Sequence, residues 1–228
     1  MPNPRFIYVT GTDTSVGKTV FTALFCHHLK ADGENVGVMK PFCSGGREDA
    51  ELLAGSVAFE GNLDEINPTH FDAPVAPLVA MREAGQTHDL KTTVAGIRCA
   101  AEGREIFVVE GAGGLLSPLG EGFDSLELLR EIGAETILVA PDRVGVVNQI
   151  LLNLRELERS GCVPLAVVLM GQEPSDPSCD TNACLLREKA QVRLFELPFL
   201  GEKPVSMPHL KKSYEISKKT LAAIGVRT

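Results

Sequence analysis

The chain has 228 residues, 44% of them hydrophobic, and its 30 acidic and 22 basic side chains leave a net charge of −8. That length and apolar content suffice for one buried core, so we expect a single domain over residues 1–228. The acidic balance argues against nucleic acid or an anionic membrane as partner, and no apolar stretch approaches the ~20 residues of a membrane span. We expect a cytoplasmic protein with a small-molecule partner.

The six cysteines are spread along the chain with no C-x-x-C pair, which favours free thiols in a reducing compartment. Cys179 and Cys184 are the only close pair. Because no histidine lies nearby and their spacing fits no usual zinc pattern, a metal or redox role for them is disfavoured.

The first motif is the stretch Gly11-Thr12-Asp13-Thr14-Ser15-Val16-Gly17-Lys18-Thr19, with an apolar run (6–9) before it and a helix (18–31) predicted from Lys18 onward. This order of strand, glycine-bounded loop and helix suits phosphate, because the loop aims N–H groups at the anion and the helix N-terminus adds partial positive charge. Lys18 would reach the outer phosphates and the Thr19 hydroxyl would ligate Mg²⁺. Five residues, not the usual four, separate the two glycines, so the loop is a variant of the common pattern.

A second lysine follows the next predicted strand (35–39). Lys40 opens a loop that runs to Gly46, and in an open parallel sheet such loops at the carboxyl ends of strands build the active site. We therefore place Lys40 near the phosphate loop, the alternative being an ordinary solvated lysine. A helix predicted over 47–55 begins with Glu48, Asp49 and Glu51, which could complete a magnesium site or could simply be solvated carboxylates at a helix start.

The third motif is a four-residue apolar run that ends in Glu110 and is followed by Gly111-Ala112-Gly113-Gly114. Phosphate-loop enzymes hold Mg²⁺ with a carboxylate at the end of such a strand, and glycines let the backbone approach the phosphates. A buried strand that ends in a turn could look similar, but the upstream loop favours the functional interpretation.

The remaining pattern alternates short apolar strands with helices. Residues 60–77 are irregular and proline-rich, and we interpret them as a long excursion over the sheet that could carry substrate contacts. Further helices are predicted at 77–83, 89–101, 147–159, 181–190 and 209–224, and further strands at 136–140, 163–170 and 192–197. Paired lysines in the last helix are interpreted as a solvated face. The pattern predicts a three-layer α/β domain with a mainly parallel sheet of about six or seven strands flanked by helices.

Taken together, the motifs resemble the dethiobiotin synthetases of biotin biosynthesis, which have the P-loop NTPase fold. The resemblance rests on the 11–19 loop, Lys40-Pro41-x-x-Ser44-Gly45, Asp49-Ala50, Asn67-Pro68 and Glu110 to Gly114, and it runs in the right order from Gly11 to Pro204.

This resemblance implies an ATP- and Mg²⁺-dependent ligase that carboxylates 7,8-diaminononanoate with CO₂ or bicarbonate and closes a ureido ring through a carbamate and a carbamic-phosphoric anhydride. Lys40 is carried over as the active-site lysine, with Lys18, Thr14 and Ser44 beside it, and Thr19, Asp49 and Glu110 as the magnesium ligands. The nucleotide contacts carried over are Ser15, Val16, Gly17, Lys18, Thr19, Val20, Asp49, Glu110, Gly111, Ala112, Gly113, Gln172, Pro204, Val205 and Ser206.

The resemblance also implies a homodimer in which a helix N-terminus of the neighbouring chain holds the substrate carboxylate. The matching segment is Val144-Gly145-Val146-Val147-Asn148, which the pattern alone would make an ordinary helix start. Two departures from the family stand out. Ser15 replaces the more typical Glu or Gly, and Gly171-Gln172 replaces the Asn-Asp of members with strong adenine preference, which leaves base selectivity open.

Two other functions fit parts of this pattern. Cobyrinate-amidase-like ligases share the ATP chemistry but generally append a glutaminase domain, for which 228 residues leave no room. Partition-type ATPase switches usually carry a second lysine early in the phosphate loop, where this chain has Thr12, Asp13 and Thr14, and this chain lacks an amphipathic membrane tail with a strong apolar face.

Overall fold

The computed structural model describes residues 3–201 and 206–225. Its strands are β1 (Arg5–Gly11), β2 (Val36–Met39), β3 (Phe42–Ser44), β4 (Thr69–Phe71), β5 (Ile106–Glu110), β6 (Pro118–Gly120), β7 (Phe123–Asp124), β8 (Glu135–Pro141), β9 (Pro164–Met170) and β10 (Leu194–Leu197). Its helices are α1 (Lys18–Ala31), α2 (Glu48–Ser56), α3 (Leu63–Ile66), α4 (Pro77–Glu83), α5 (Leu90–Ala100), α6 (Ser125–Ile132), α7 (Val146–Arg159), α8 (Cys179–Lys189) and α9 (Met207–Ile224).

Six strands form one parallel sheet in the order β10-β9-β8-β1-β5-β2, which confirms the predicted fold class. The central strand β1 pairs with β5 on one side and β8 on the other. The chain therefore leaves β1 at the point where the strand order reverses, and ligands of open parallel sheets bind beyond the carboxyl ends of the strands at such a point. The loop after β1 is the phosphate loop of the sequence analysis.

The strands are apolar on both faces because helices cover both sides of the sheet. On one face Ile7 and Val9 of β1 are fully buried in a core that also contains residues of α1, α2 and α9. On the other face Tyr8 is fully buried with residues of α4, α5 and α6, and α7 and α8 cover β8 and β9. These two covered faces make the three layers.

Two regions differ from the prediction. Residues 60–77, expected to be irregular, contain α3 and β4, and β4 pairs in parallel with β3. A capping box starts α3, because the Asn62 side chain accepts from the Asp64 N–H and the Glu65 side chain accepts from the Asn62 N–H. Residues 118–132, for which no element was predicted, form the β6–β7 hairpin and α6, which begins with a second capping box from Asp124 and Glu127.

Other expectations about the chain's surface and thiols agree with the structure. The paired lysines of α9, Lys211, Lys212, Lys218 and Lys219, are exposed. All six cysteines are free. Among the described helices, none combines the length and apolar character needed to cross a membrane.

Candidate active site

A cleft of about 620 Å³ lies at the carboxyl edge of the sheet, above β1, β2 and β5. The residues that line it come from the loops that follow β1, β2, β4 and β5, from β3, and from the starts of α1, α2 and α4. They are Thr14, Ser15, Gly17, Lys18, Thr19, Val20, Lys40, Cys43, Ser44, Asp49, Pro74, Val75, Ala76, Pro77, Ala112, Gly113 and Ser117.

The phosphate loop is shaped by its glycines. Gly17 has φ +96°, a conformation that side-chain-bearing residues rarely adopt, and it precedes the first residue of α1. A Cβ at Gly11 would lie 2.7 Å from Val16 Cγ2, so the loop closes tightly on itself. Within the described part of the chain, the main-chain N–H groups of residues 15–20 donate to no acceptor. Six donors at a helix N-terminus are thus available to an anion.

Lys18 lies along this loop, and its Nζ donates to the Asp13 carbonyl oxygen at 2.8 Å. The pKa of Lys18 is lowered from its ordinary 10.5 to about 8, mainly by burial; the charge of Glu110 opposes this shift, and the neighbouring charge of Lys40 contributes to it. A buried ammonium that lacks a carboxylate in direct contact gains stability when a phosphate arrives.

Glu110 is the centre of the charged network. It ends β5, is 0% exposed, and its Oε1 accepts from the Thr19 hydroxyl at 2.7 Å and from Lys40 Nζ at 2.8 Å. Lys40 Nζ also donates to Asp49 Oδ2. One ammonium therefore bridges the carboxylates supplied by β5 and by the first turn of α2.

The two carboxylates decide the protonation of Lys40. Burial alone would lower the pKa of Lys40, which is 6% exposed, but the charges of Glu110 and Asp49 and their hydrogen bonds outweigh it and raise the pKa above its ordinary value. Lys40 is therefore a permanently charged, fixed ammonium, in contrast to Lys18.

The donor set fits a magnesium ion. Thr19, Asp49 and Glu110 supply hydroxyl and carboxylate oxygens, the ligands that Mg²⁺ prefers, and Glu110 Oε2 is buried without a hydrogen-bond partner. Asp49, and not its neighbour Glu48, lines the cleft. No group of three or more His, Cys, Asp or Glu side chains that could hold a metal occurs in residues 3–201 and 206–225, so a cation here would also need the Thr19 hydroxyl, water or phosphate oxygens.

The glycines after β5 let two loops approach each other. A Cβ at Gly111 would lie 2.8 Å from the buried Tyr8 hydroxyl, and one at Gly114 would lie 3.4 Å from the Gly11 carbonyl oxygen. Gly113 has φ +68°, and the Gly114 N–H donates to Ser117 Oγ at 2.7 Å. The second glycine segment therefore packs directly on the phosphate loop.

Most residues named from the sequence thus meet in one place. Behind the lining, Val16, Glu110 and Gly111 are buried. Gln172 lies at the end of β9 outside the lining, with its Nε2 turned back onto the carbonyls of Met170 and Gly171 at 2.9 and 3.0 Å. Ser206 is exposed before α9 and its Oγ lies 2.7 Å from His209 Nδ1, and Pro204 and Val205 fall outside the described residues.

The predicted substrate-carboxylate segment, 144–148, also lies outside the cleft of its own chain. It forms the start of α7, with Gly145 at φ +86° and Val144 74% exposed. The Val144 N–H donates to Asp176 Oδ2 at 2.8 Å, so one of the segment's donors already has a carboxylate partner.

Sequence reasoning missed part of the cleft wall. Cys43, Ser117 and residues 74–77 line it without having been singled out. Residues 74–77 belong to the 60–77 excursion, which was expected to be a possible carrier of substrate contacts although none of these four residues was singled out, and the hairpin that follows Ser117 was not predicted. Both segments lack the regular periodicity from which elements are recognised.

The comparisons with known proteins agree on the family. A family model described as an AAA domain matches residues 5–207. Curated proteins named ATP-dependent dethiobiotin synthetase are similar to the chain, among them those of Bacillus subtilis strain 168 (34% identity, covering 88% of this chain and 87% of the relative), Anaeromyxobacter sp. strain Fw109-5 (37%, 78% and 82%) and Endomicrobium trichonymphae (32%, 85% and 92%).

Among solved structures, the septum site-determining protein MinD from Pyrococcus horikoshii, in complex with Mg-ADP, is similar with a TM-score of 0.57 at 15% identity, covering 97% of this chain and 93% of that one. A likeness at that identity shows the P-loop NTPase fold alone. The sequence relatives, together with the phosphate loop and the two buried lysines, make this chain a member of the ATP-dependent dethiobiotin synthetase family of ligases.

Proposed function

We propose that this chain carboxylates 7,8-diaminononanoate and closes its ureido ring with ATP, Mg²⁺ and CO₂ or bicarbonate. The observation that carries the proposal is the fixed ammonium of Lys40, held by Glu110 and Asp49 beside a loop whose six N–H groups at residues 15–20 have no acceptor among the described residues. A carbamate and a γ-phosphate are both anions, and a reaction between them needs positive charge concentrated where they meet.

The first step makes the carbamate. One amine of the substrate, in its unprotonated form, attacks CO₂ and loses a proton, which leaves a carboxylate on nitrogen. Lys40 supplies a charge-assisted hydrogen bond to that carboxylate. Thr14 and Ser44 line the same cleft, and Ser44 Oγ is buried without a partner in the described part of the chain, so it is available to the substrate.

The second step transfers the γ-phosphoryl group to a carbamate oxygen. The N–H groups of residues 15–20 and the ammonium of Lys18 hold the phosphates, and Mg²⁺ at Thr19, Asp49 and Glu110 would offset the charge on the β- and γ-phosphate oxygens. Since these groups are positioned before the reaction, orientation and electrostatics provide most of the acceleration.

The third step closes the ring. The second amine attacks the carbon of the mixed anhydride, the C–O bond to phosphate breaks, and inorganic phosphate leaves with the bridging oxygen. The cleft wall at 74–77 is apolar, which suits the aliphatic part of the diamine.

Gln172, Pro204, Val205 and Ser206 are proposed to contact the base or ribose of the nucleotide. The amide donor of Gln172 is bonded to main-chain carbonyls, so base recognition through this side chain would need its rotation. We further propose a cytoplasmic, single-domain protein that works as a homodimer, in which 144–148 of the neighbouring chain holds the substrate carboxylate.

A partition-type ATPase switch is one alternative, because the P-loop NTPase fold that the chain shares with MinD does not by itself distinguish a switch from a ligase. The chain lacks a second lysine early in the loop, and its extra buried lysine is instead Lys40 at the end of β2. The cobyrinate-amidase-like ligase remains the other alternative.

The test is to measure phosphate release from ATP, Mg²⁺ and bicarbonate with and without 7,8-diaminononanoate, with mass spectrometry of the product. The proposal predicts phosphate release that depends on the diamine and equals the ring-closed product in amount. Release that is indifferent to the diamine would move the assignment to an ATPase switch.

A further inference from the structure

The main chain at Lys40 is held from one side by the segment between α3 and β4. The Lys40 N–H donates to the Ile66 carbonyl oxygen at 2.7 Å, and the Thr69 N–H donates to the Pro41 carbonyl oxygen at 3.1 Å. Between these two contacts, Asn67 Nδ2 donates to the Lys40 carbonyl oxygen at 2.8 Å. The backbone at Lys40 and Pro41 is therefore fixed by two main-chain hydrogen bonds, to Ile66 and Thr69, and by one side-chain hydrogen bond from Asn67.

Asn67 is buried for this contact. Its residue is 1% exposed, Nδ2 makes a second, longer bond to the Thr69 carbonyl oxygen at 3.3 Å, and Oδ1 has no partner in the described part of the chain. A buried amide with an unbonded oxygen costs stability that an apolar side chain of similar size would avoid. The hydrogen bond from Asn67 to the Lys40 carbonyl oxygen offsets part of this cost and fixes the Lys40 backbone.

The position of Asn67 is itself secured from outside. Arg47 donates through one guanidinium nitrogen to the Asn67 carbonyl oxygen at 3.0 Å and pairs through another with Asp64 at 2.8 Å. Asn67 is the C-cap residue that directly follows α3, and the capping box of Asn62 closes the N-terminus of the same helix. α3 thus positions the side-chain amide of Asn67 against the residue that directly follows β2, which is Lys40.

We propose that Asn67 is a positioning residue that orients Lys40 for the reaction. This rests on the proposed function in that Lys40 is the lysine that meets the carbamate. Asn67 touches neither the cleft nor the phosphate loop, and it acts only through the Lys40 main chain.

Loss of this contact is expected to affect the rate more than nucleotide binding. Without the Asn67 contact, the Lys40 ammonium is expected to shift by about 1 Å relative to its two carboxylates and the reacting anion. Such a shift lowers kcat by roughly 10- to 100-fold, the range seen when supporting hydrogen bonds around a site are removed. The KM for ATP stays within about threefold, because the phosphate loop belongs to β1 and α1 and shares no bond with Asn67.

The experiment compares Asn67→Leu with Asn62→Ala. The first removes the amide while keeping an apolar body of similar size, and the second removes the helix cap of the same segment but keeps the Asn67–Lys40 bond. The proposal predicts a kcat loss in Asn67→Leu and near-normal kcat in Asn62→Ala. Equal losses in both variants would overturn it, because the effect would then be loosening of the segment.

A stability cycle tests the same coupling without activity. Lys40→Met is introduced into the wild type and into Asn67→Leu, and urea unfolding is measured for all four proteins. If Asn67 holds the Lys40 ammonium on its carboxylates, the fold-change in the unfolding equilibrium constant caused by Lys40→Met is about tenfold smaller in the Asn67→Leu background. Additive effects would refute the coupling, whereas a wild type without diamine-dependent turnover would refute only the proposed function.

If Asn67→Leu does not fold, Asn67→Gln takes its place in both measurements. It keeps a buried amide but moves it by one methylene, so kcat falls with little change in the KM for ATP. Wild-type kcat in Asn67→Gln would then overturn the proposal.

Discussion

Removing the ammonium of Lys40 should destabilise the protein through Glu110. In Lys40→Met the Glu110 carboxylate stays fully buried, and among its contacts in the described residues only the Thr19 hydroxyl remains. Breaking a buried ion pair by removing one partner costs roughly 3–5 kcal/mol, because an uncompensated charge is left behind. The Asp49 side chain is 41% exposed, so the loss of its pairing with Lys40 adds little.

The assay is urea unfolding at neutral pH, followed by circular dichroism. The single variant is compared with the double variant Lys40→Met/Glu110→Gln, which removes both charges and should recover most of the lost free energy of unfolding. Lys211→Met, at an exposed position of α9, is the control for loss of a lysine and should be close to neutral. A double variant no more stable than Lys40→Met alone would refute the assignment of the cost to the buried Glu110 charge.

Three other predictions concern the loop, the pH dependence and the missed helix. Burial lowers the pKa of Lys18 to about 8 from its ordinary 10.5, although Glu110 opposes the shift, so at this side chain the unfolded chain binds more protons than the folded chain between these values. The contribution of Lys18 to the free energy of unfolding should therefore rise with pH across this window, while the buried Cys26 thiol, whose pKa is raised, contributes in the opposite direction above about pH 9. Urea titrations of the wild type and Lys18→Gln should show this rise as a growing difference between the two proteins, and a difference that does not change with pH would contradict it. Gly17→Ala places a Cβ 3.2 Å from Met170 Cγ on a backbone with φ +96°, so it should lower the free energy of unfolding by about 1–3 kcal/mol and weaken ATP binding. Calorimetry would measure the ATP affinity, and an unchanged affinity would contradict this prediction. Asp124→Ala removes the cap of α6 and should cost about 0.5–2 kcal/mol in thermal unfolding while the affinity for ATP stays normal; a loss of ATP affinity would contradict the separation of α6 from the cleft.

The sheet and the core of the site were predictable because their signals are local. Strands such as 136–140 are short apolar runs, and α1 starts with Lys18 at the end of the loop motif, so the positions of these strands and helices along the chain follow from the local sequence. Lys40 and Glu110 were placed at strand ends, and parallel strands bring their carboxyl ends to one edge.

The features that were not predicted depend on pairing between distant segments. β3 and β4 have three residues each, and each is a strand only because the other lies beside it. The pairing of β3 with β4 also brings Asn67 to the main chain of Lys40, and no pattern of spacing along the sequence indicates this contact. In contrast, the capping boxes that start at Asn62 and Asp124 have a local sequence signal, a capping residue followed three positions later by Glu. This signal would have predicted α3 and α6.

The most direct test of the central claim follows one oxygen atom. With CO₂ labelled with oxygen-18, a single turnover of 7,8-diaminononanoate and unlabelled ATP is quenched before the label exchanges with water, and the phosphate is analysed by mass spectrometry. A carbamic-phosphoric anhydride formed in the cleft predicts one labelled oxygen in each phosphate released, because ring closure breaks the C–O bond. Unlabelled phosphate, formed by attack of water on ATP, would contradict the account.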